Sequence, residues 1–315
     1  MARRKRQIGA RAVRRQVRRR KGRLRDLLIG PKTRVKYNNA LKRFRRWLSL
    51  SNRVEPADAC LLDLVVSDFV EQLWDEGDPK SWGSELLSAL AFENPALKRH
   101  LERSWQLIKA WGRHEVPRRA WPVLVEAVLA MAGLALADGQ AGFAAGIVVG
   151  FHCLLRLQEI LTIVYSDFTW AVAGTTGHLL LPETKSGSRS GRQESVVVSD
   201  QIVYKLVKRA QRRSKDSRLV DITPVVFRQL FSHYTRKVGL DPERYTPHCL
   251  RRGGATHDFK SHGNLSRTCS RGRWLQVRTC RIYIDAALAL REKLHLTRTQ
   301  RMAIVRAMDV LEKYL

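Results

Sequence analysis

The stretch TPHCLRRGGAT, residues 246–256, sets a histidine and an arginine three positions apart, His248 and Arg251. On a helix that spacing puts both side chains on one face, where they can hold a phosphate together. The spacing alone decides little in so arginine-rich a chain. It recurs at His100/Arg103, His233/Arg236 and His295/Arg298. Its weight comes from what lies on either side of it.

The chain has 315 residues and a formal net charge of +29. That length is enough for two domains with proper cores. The charge asks for a polyanionic partner, nucleic acid first and an anionic membrane surface second. Thirteen Lys/Arg and no acid fall within residues 1–25, so the remainder still carries +16 and the folded body must itself show a basic face. No apolar run is long and charge-free enough to cross a bilayer. The five cysteines show no paired spacing and fit free thiols in a reducing compartment. A zinc site from His257, His262 and Cys269 matches no common ligand pattern, and no metal or cofactor is expected.

Residues 1–30 read as a basic, disordered arm, suited to DNA contact or nuclear localisation, with a mitochondrial presequence as the rival. Over residues 31–112 the apolar pattern is helical throughout: Tyr37, Leu41, Phe44 and Leu48, then Leu62, Val66, Phe69 and Leu73, then Leu97, Leu101, Trp105 and Ile108. Residues 113–122, with two prolines and three arginines, read as a linker. From 123 to 315 the pattern predicts two apolar helices (122–138 and 142–163) and three short strands in FTWAVA, HLLLPET and ESVVV. Helices follow, with an irregular polar segment after residue 256. A last stripe comprises Met302, Val305, Met308 and Leu311. The fold class is therefore mainly α with a small three-stranded antiparallel sheet.

Four pieces line up in order. LLRLQEI carries Arg156 and Glu159 at the end of an apolar helix. PETKSG puts Lys185 at the mouth of a β-turn. HCLRRGGAT supplies His248 and Arg251. GRWLQVRTCRIYID supplies Trp274 and, nine residues on, Tyr283. Breaking a DNA phosphodiester without metal or water needs a nucleophile, a charge clamp and a proton donor for the leaving oxygen. Two guanidiniums, always charged and fork-shaped, suit the clamp.

With these pieces in this order, most of the chain resembles the tyrosine recombinase (phage integrase) family. The resemblance implies a helical core-binding domain followed by a mixed α/β catalytic domain. Residue by residue, Arg156 matches the family's first arginine and Lys185 its hairpin lysine. His248 and Arg251 match its His-x-x-Arg box, Trp274 its His/Trp position and Tyr283 its nucleophile. Glu159 is expected to support Arg156. Gly253 and Gly254 are expected to allow close packing behind the site. The implied chemistry is site-specific strand exchange through a 3′-phosphotyrosyl link, on double-stranded DNA, by a homotetramer. It proceeds without metal, ATP or membrane, in a nucleus or a nucleoid. A type I topoisomerase-like enzyme and a non-catalytic DNA-binding descendant are the alternatives. The helices after Tyr283 are expected to dock either onto a neighbouring copy or back onto their own chain.

Overall fold

The computed structural model describes residues 2–315 except 117, 173–175, 183, 185–186, 188–190, 192 and 214–216, with side chains from residue 11 onward. It divides into two compact units, Met1–Arg118 and Arg119–Leu315, and the division falls inside the proline- and arginine-bearing segment 113–122.

The first unit is wholly helical among its described residues. Helix α1 (Ala2–Lys21) occupies the segment that composition suggests is disordered. Ala, Arg, Lys and Gln are good helix formers, and its side chains from Arg11 on are exposed. Helices α2 (Pro31–Leu50), α3 (Ala59–Asp75), α4 (Lys80–Glu93) and α5 (Glu102–His114) enclose a core of Leu41, Phe44, Leu62, Val66, Phe69, Leu86 and Ile108. Buried Asp63 on α3 caps α5, accepting from the backbone amides of Arg103 at 2.9 Å and Ser104 at 3.1 Å. Those orphan donors thereby acquire a carboxylate at the positive end of the helix.

The second unit is built on two apolar helices, α6 (Val125–Ala137) and α7 (Ala141–His152). The single helix expected over 142–163 is in fact two, because the chain turns at Cys153–Arg156 before the short α8 (Leu157–Thr162). Strands β1 (Phe168–Trp170), β2 (Gly177–Leu181) and β3 (Glu194–Val198) form an antiparallel sheet in the order β1-β2-β3. Leu179 of β2 pairs with Phe168 and with Val196, and these inward residues join the core. Helices α9 (Gln201–Arg213) and α10 (Pro224–Lys237) follow, the latter capped by Thr223. Helix α11 (His248–His262) carries the opening motif. The polar segment expected to be irregular contains α12 (Leu265–Arg271), capped by Asn264, and then α13 (Val277–Arg281). Helices α14 (Ala286–His295) and α15 (Arg298–Glu312) end the chain.

Helix α15 packs back onto α6 of its own chain. Its buried face is Ile304, Ala307 and Leu311 with Met308 packed beside them, so the expected stripe holds at Met308 and Leu311 but fails at Met302 and Val305, which are exposed. The reason is a close backbone approach: a Cβ placed at Gly133 of α6 would lie 2.3 Å from the Ala307 carbonyl oxygen. Small residues at the crossing, not the larger Met and Val, set which face turns inward. No helix among the described residues is long and apolar enough to cross a membrane.

Candidate active site

The turn that presents Arg156 begins with a helix ending of an uncommon kind. The amide of Leu155 donates to the Gly150 carbonyl at 2.9 Å and that of Leu154 to the Phe151 carbonyl at 3.3 Å, the double closure of a Schellman motif. The left-handed position that glycine usually fills is held by Leu154, φ 53°. The next carbonyls are met by arginines. His152 O accepts from Arg271 Nη2 at 2.9 Å, Cys153 O from Arg273 Nη1 at 3.3 Å, and Leu154 O from Arg251 Nη1. Three cations at the negative end of α7 satisfy its orphan acceptors and complement its dipole.

Arg156 then stands as the N-cap of α8 rather than at the end of a helix. Its amide donates to Glu159 Oε2 at 2.9 Å and its Nη1 to Glu159 Oε1 at 2.6 Å. Glu159 is buried, which restricts the orientations open to Arg156. Two hydrogen bonds thus join Glu159 to Arg156.

Arg251 lies one turn into α11 and is completely buried. Glycines 253 and 254 let α11 approach its neighbours at backbone distance: a Cβ at Gly254 would fall 2.1 Å from the Phe151 carbonyl oxygen, and one at Gly253 would fall 2.2 Å from that of Val123. Besides Leu154 O, the Arg251 guanidinium donates from Nη2 to Gly272 O at 2.6 Å. Its Nε is buried and has no hydrogen-bond partner among the described residues. Burial, with the charges of Arg156 and Arg273 next, draws its pKa down to about 10, which leaves it protonated at neutral pH.

The same charges act on His248, at the start of α11. Burial first, then Arg251, Arg156 and Arg252, hold its pKa below the usual imidazole value, so its neutral form is favoured. Tyr283 follows α13, and its ring centroid lies 5.4 Å from that of His248 and 4.8 Å from that of Trp274. The Arg251 guanidinium sits over both the Trp274 and the Tyr283 ring, at 4.4 and 5.5 Å from their centroids. The segment bearing Tyr283 is fastened to α11 at Tyr283 and just beyond it. Thr256 Oγ1 donates to Tyr283 O at 3.2 Å and accepts from Asp285 N at 3.1 Å, and Arg252 pairs with Asp285 at 2.8 Å.

Five of the six expected residues, Arg156, His248, Arg251, Trp274 and Tyr283, therefore gather in one place. Lys185, in the connection between β2 and β3, lies outside the described residues. Trp274 is buried, with its ring against Arg251 and Tyr283. Two arginines that the sequence reading passes over, Arg271 and Arg273, hold the frame. Neither carries a periodic or motif signal, though Arg273 immediately precedes Trp274. Among the described residues no group of three His, Cys, Asp or Glu side chains stands ready to hold a metal ion.

No protein-family model and no curated protein matches the chain. Solved structures do. A Tn1549 transposon integrase in complex with transposon right end DNA aligns with a TM-score of 0.61 at 11% identity, covering 88% of this chain and 96% of that one. The XerH site-specific recombinase bound to difH substrate, a pre-cleavage complex, aligns at 0.58 and 16%, covering 79% and 75%. A lambda integrase dimer bound to a COC′ core site aligns at 0.57 and 14%, covering 82% and 72%. At these identities the likeness is one of architecture, and it spans both units: the chain has the fold of the tyrosine recombinases and integrases.

Proposed function

We propose that this chain is a tyrosine recombinase that cleaves and rejoins DNA strands through a 3′-phosphotyrosyl intermediate on Tyr283. The observation that carries the reading is the meeting of Tyr283 with His248 and Arg251, within the electrostatic reach of Arg156. A phenol, a neutral imidazole and two guanidiniums can supply the nucleophile, its base and the charge clamp for an in-line attack on a phosphodiester.

In the proposed reaction the Tyr283 oxygen attacks phosphorus and its proton passes to neutral His248. Arg156 and Arg251 balance the charge that grows on the two non-bridging oxygens. The bond from phosphorus to the 5′ oxygen breaks, and Lys185 protonates that oxygen. The phosphotyrosyl bond conserves the energy of the broken one. A 5′-hydroxyl from a second strand reverses the step and frees Tyr283, without ATP or metal. Four copies on two duplexes would serve the exchange, and the basic α1 would track DNA and, in a eukaryote, address the protein to the nucleus.

The test is covalent capture on nicked duplexes, read as a protein–DNA adduct on a denaturing gel. The wild-type chain is expected to form it and Tyr283→Phe to bind the same DNA without forming it. An adduct with Tyr283→Phe would move the nucleophile elsewhere.

A further inference from the structure

The Arg273 side chain is only 6% exposed and joins three separate segments. Nη2 meets Glu159 Oε2 of α8 at 2.6 Å, Nε meets Glu194 Oε2 of β3 at 3.1 Å, and Nη1 donates to the Cys153 carbonyl at the end of α7 at 3.3 Å. Its backbone is left-handed, φ 57°. Glycine accepts that conformation freely and a branched-out side chain does not, so a long side chain kept there points to a task for the guanidinium.

We propose that Arg273 is a positioning residue for Arg156, and that it couples strand β3 to the phosphate site. The proposal rests on the recombinase reading for its consequence in catalysis. Glu159 divides its carboxylate between two arginines: Oε1 takes Arg156 Nη1, while Oε2 takes the Arg156 amide and Arg273 Nη2. Remove Arg273 and the Glu159 carboxylate keeps only its bonds to Arg156 itself. The pair then loses its tie to the rest of the frame, and the Arg156 side chain gains freedom to shift. Glu194 begins the strand that follows the Lys185-bearing connection, so the same guanidinium links the frame of that connection to the frame of Arg156. A lysine would supply the charge but not the fork that reaches three acceptors at once.

The experiment uses the full chain with Arg273→Gly, which suits the backbone and deletes the side chain, and Arg273→Lys, which keeps the charge. Three readings are made: adduct formation on a pool of random-sequence nicked duplexes, affinity for that pool, and the order parameter of the Arg156 Nε–Hε bond by NMR. Arg273→Gly is expected to slow capture about 100-fold, as misplacement of a catalytic group does, with affinity retained and the Arg156 order parameter lowered. Arg273→Lys should recover part of both the rate and the order parameter. A role confined to packing would leave the Arg156 order parameter unchanged. Capture at the wild-type rate in Arg273→Gly, or an unchanged Arg156 signal, overturns the proposal. Should Arg273→Gly fail to fold, an Arg273→Lys chain that matches wild type in both readings overturns it equally. If the wild-type chain captures none of the pool, the recombinase reading fails, and the Arg156 signal alone decides the positioning role.

Discussion

Arg251 and Trp274 form a stacked pair, the guanidinium carbon 4.4 Å from the ring centroid, with two backbone carbonyls of different segments bonded in the guanidinium plane. A planar fork can serve Leu154 O and Gly272 O together while keeping its face on an aromatic ring; a lysine ammonium cannot. Arg251→Lys is therefore expected to leave one buried carbonyl unpaired and to lower unfolding free energy by about 1–3 kcal/mol, read by urea titration. Covalent capture should fall by about 100-fold or more, as for loss of one preorganised donor.

His152, the last residue of α7, is expected to contribute to the acid limb of stability. Burial first and Arg271 second push its imidazole down to about 4; Asp200 and Asp258 oppose the shift and His257 adds to it. Its folded-state value thus lies below the unfolded value of about 6.5. The stability it contributes is complete above that value and is lost as pH falls through the window down to about 4. The slope there is at most about 1.4 kcal/mol per pH unit for one proton. His152→Gln should flatten the difference between unfolding free energies measured at pH 7 and pH 4.5. An unchanged pH profile would assign the acid limb to other groups.

Gly133 is a position where a single methyl decides. Its Cβ would meet the Ala307 carbonyl oxygen at 2.3 Å and the Leu311 amide nitrogen at 2.9 Å, both backbone atoms that cannot rotate away. Gly133→Ala is expected to displace α15 and lower the melting temperature, with protease cutting between α14 and α15. Leu311→Ala, which empties a buried site without a clash, should cost about 2–5 kcal/mol. A Gly133→Ala chain as stable and as resistant to protease as wild type would place α15 elsewhere in solution.

Affinity for DNA should depend steeply on salt, as the net charge of +29 demands. Deleting residues 1–21 removes eleven Lys/Arg. The slope of log affinity against log salt should then fall by about 0.9 for every phosphate that α1 had neutralised. An unaltered slope would show that α1 does not touch DNA.

Much of this was legible in the sequence because periodicity reports faces. The stripes over Tyr37–Leu48 and Leu62–Leu73 and the alternation in ESVVV lie where helices α2 and α3 and strand β3 form. What escaped is local geometry. Leu154 in a left-handed cap and the break before Arg156 sit inside an unbroken apolar pattern, and nothing in leucine's identity announces that backbone. Arg273 is one arginine among many, and its worth lies in three acceptors brought from distant parts of the chain. On α15 hydrophobic size favoured Met302 and Val305, while the crossing at Gly133 selected small Ala307. The site was readable as an ordered set of residue types; the frame holding it was readable only in three dimensions.

The meeting of α6 and α15 at Gly133 limits how the end of the chain can move. Side chains that interdigitate can yield by small rotations, so a seam made of them can slacken by degrees. Main chain lying against main chain leaves less room to adjust. Helix α15 is accordingly seated on α6 at a crossing where even one added carbon at Gly133 finds no space.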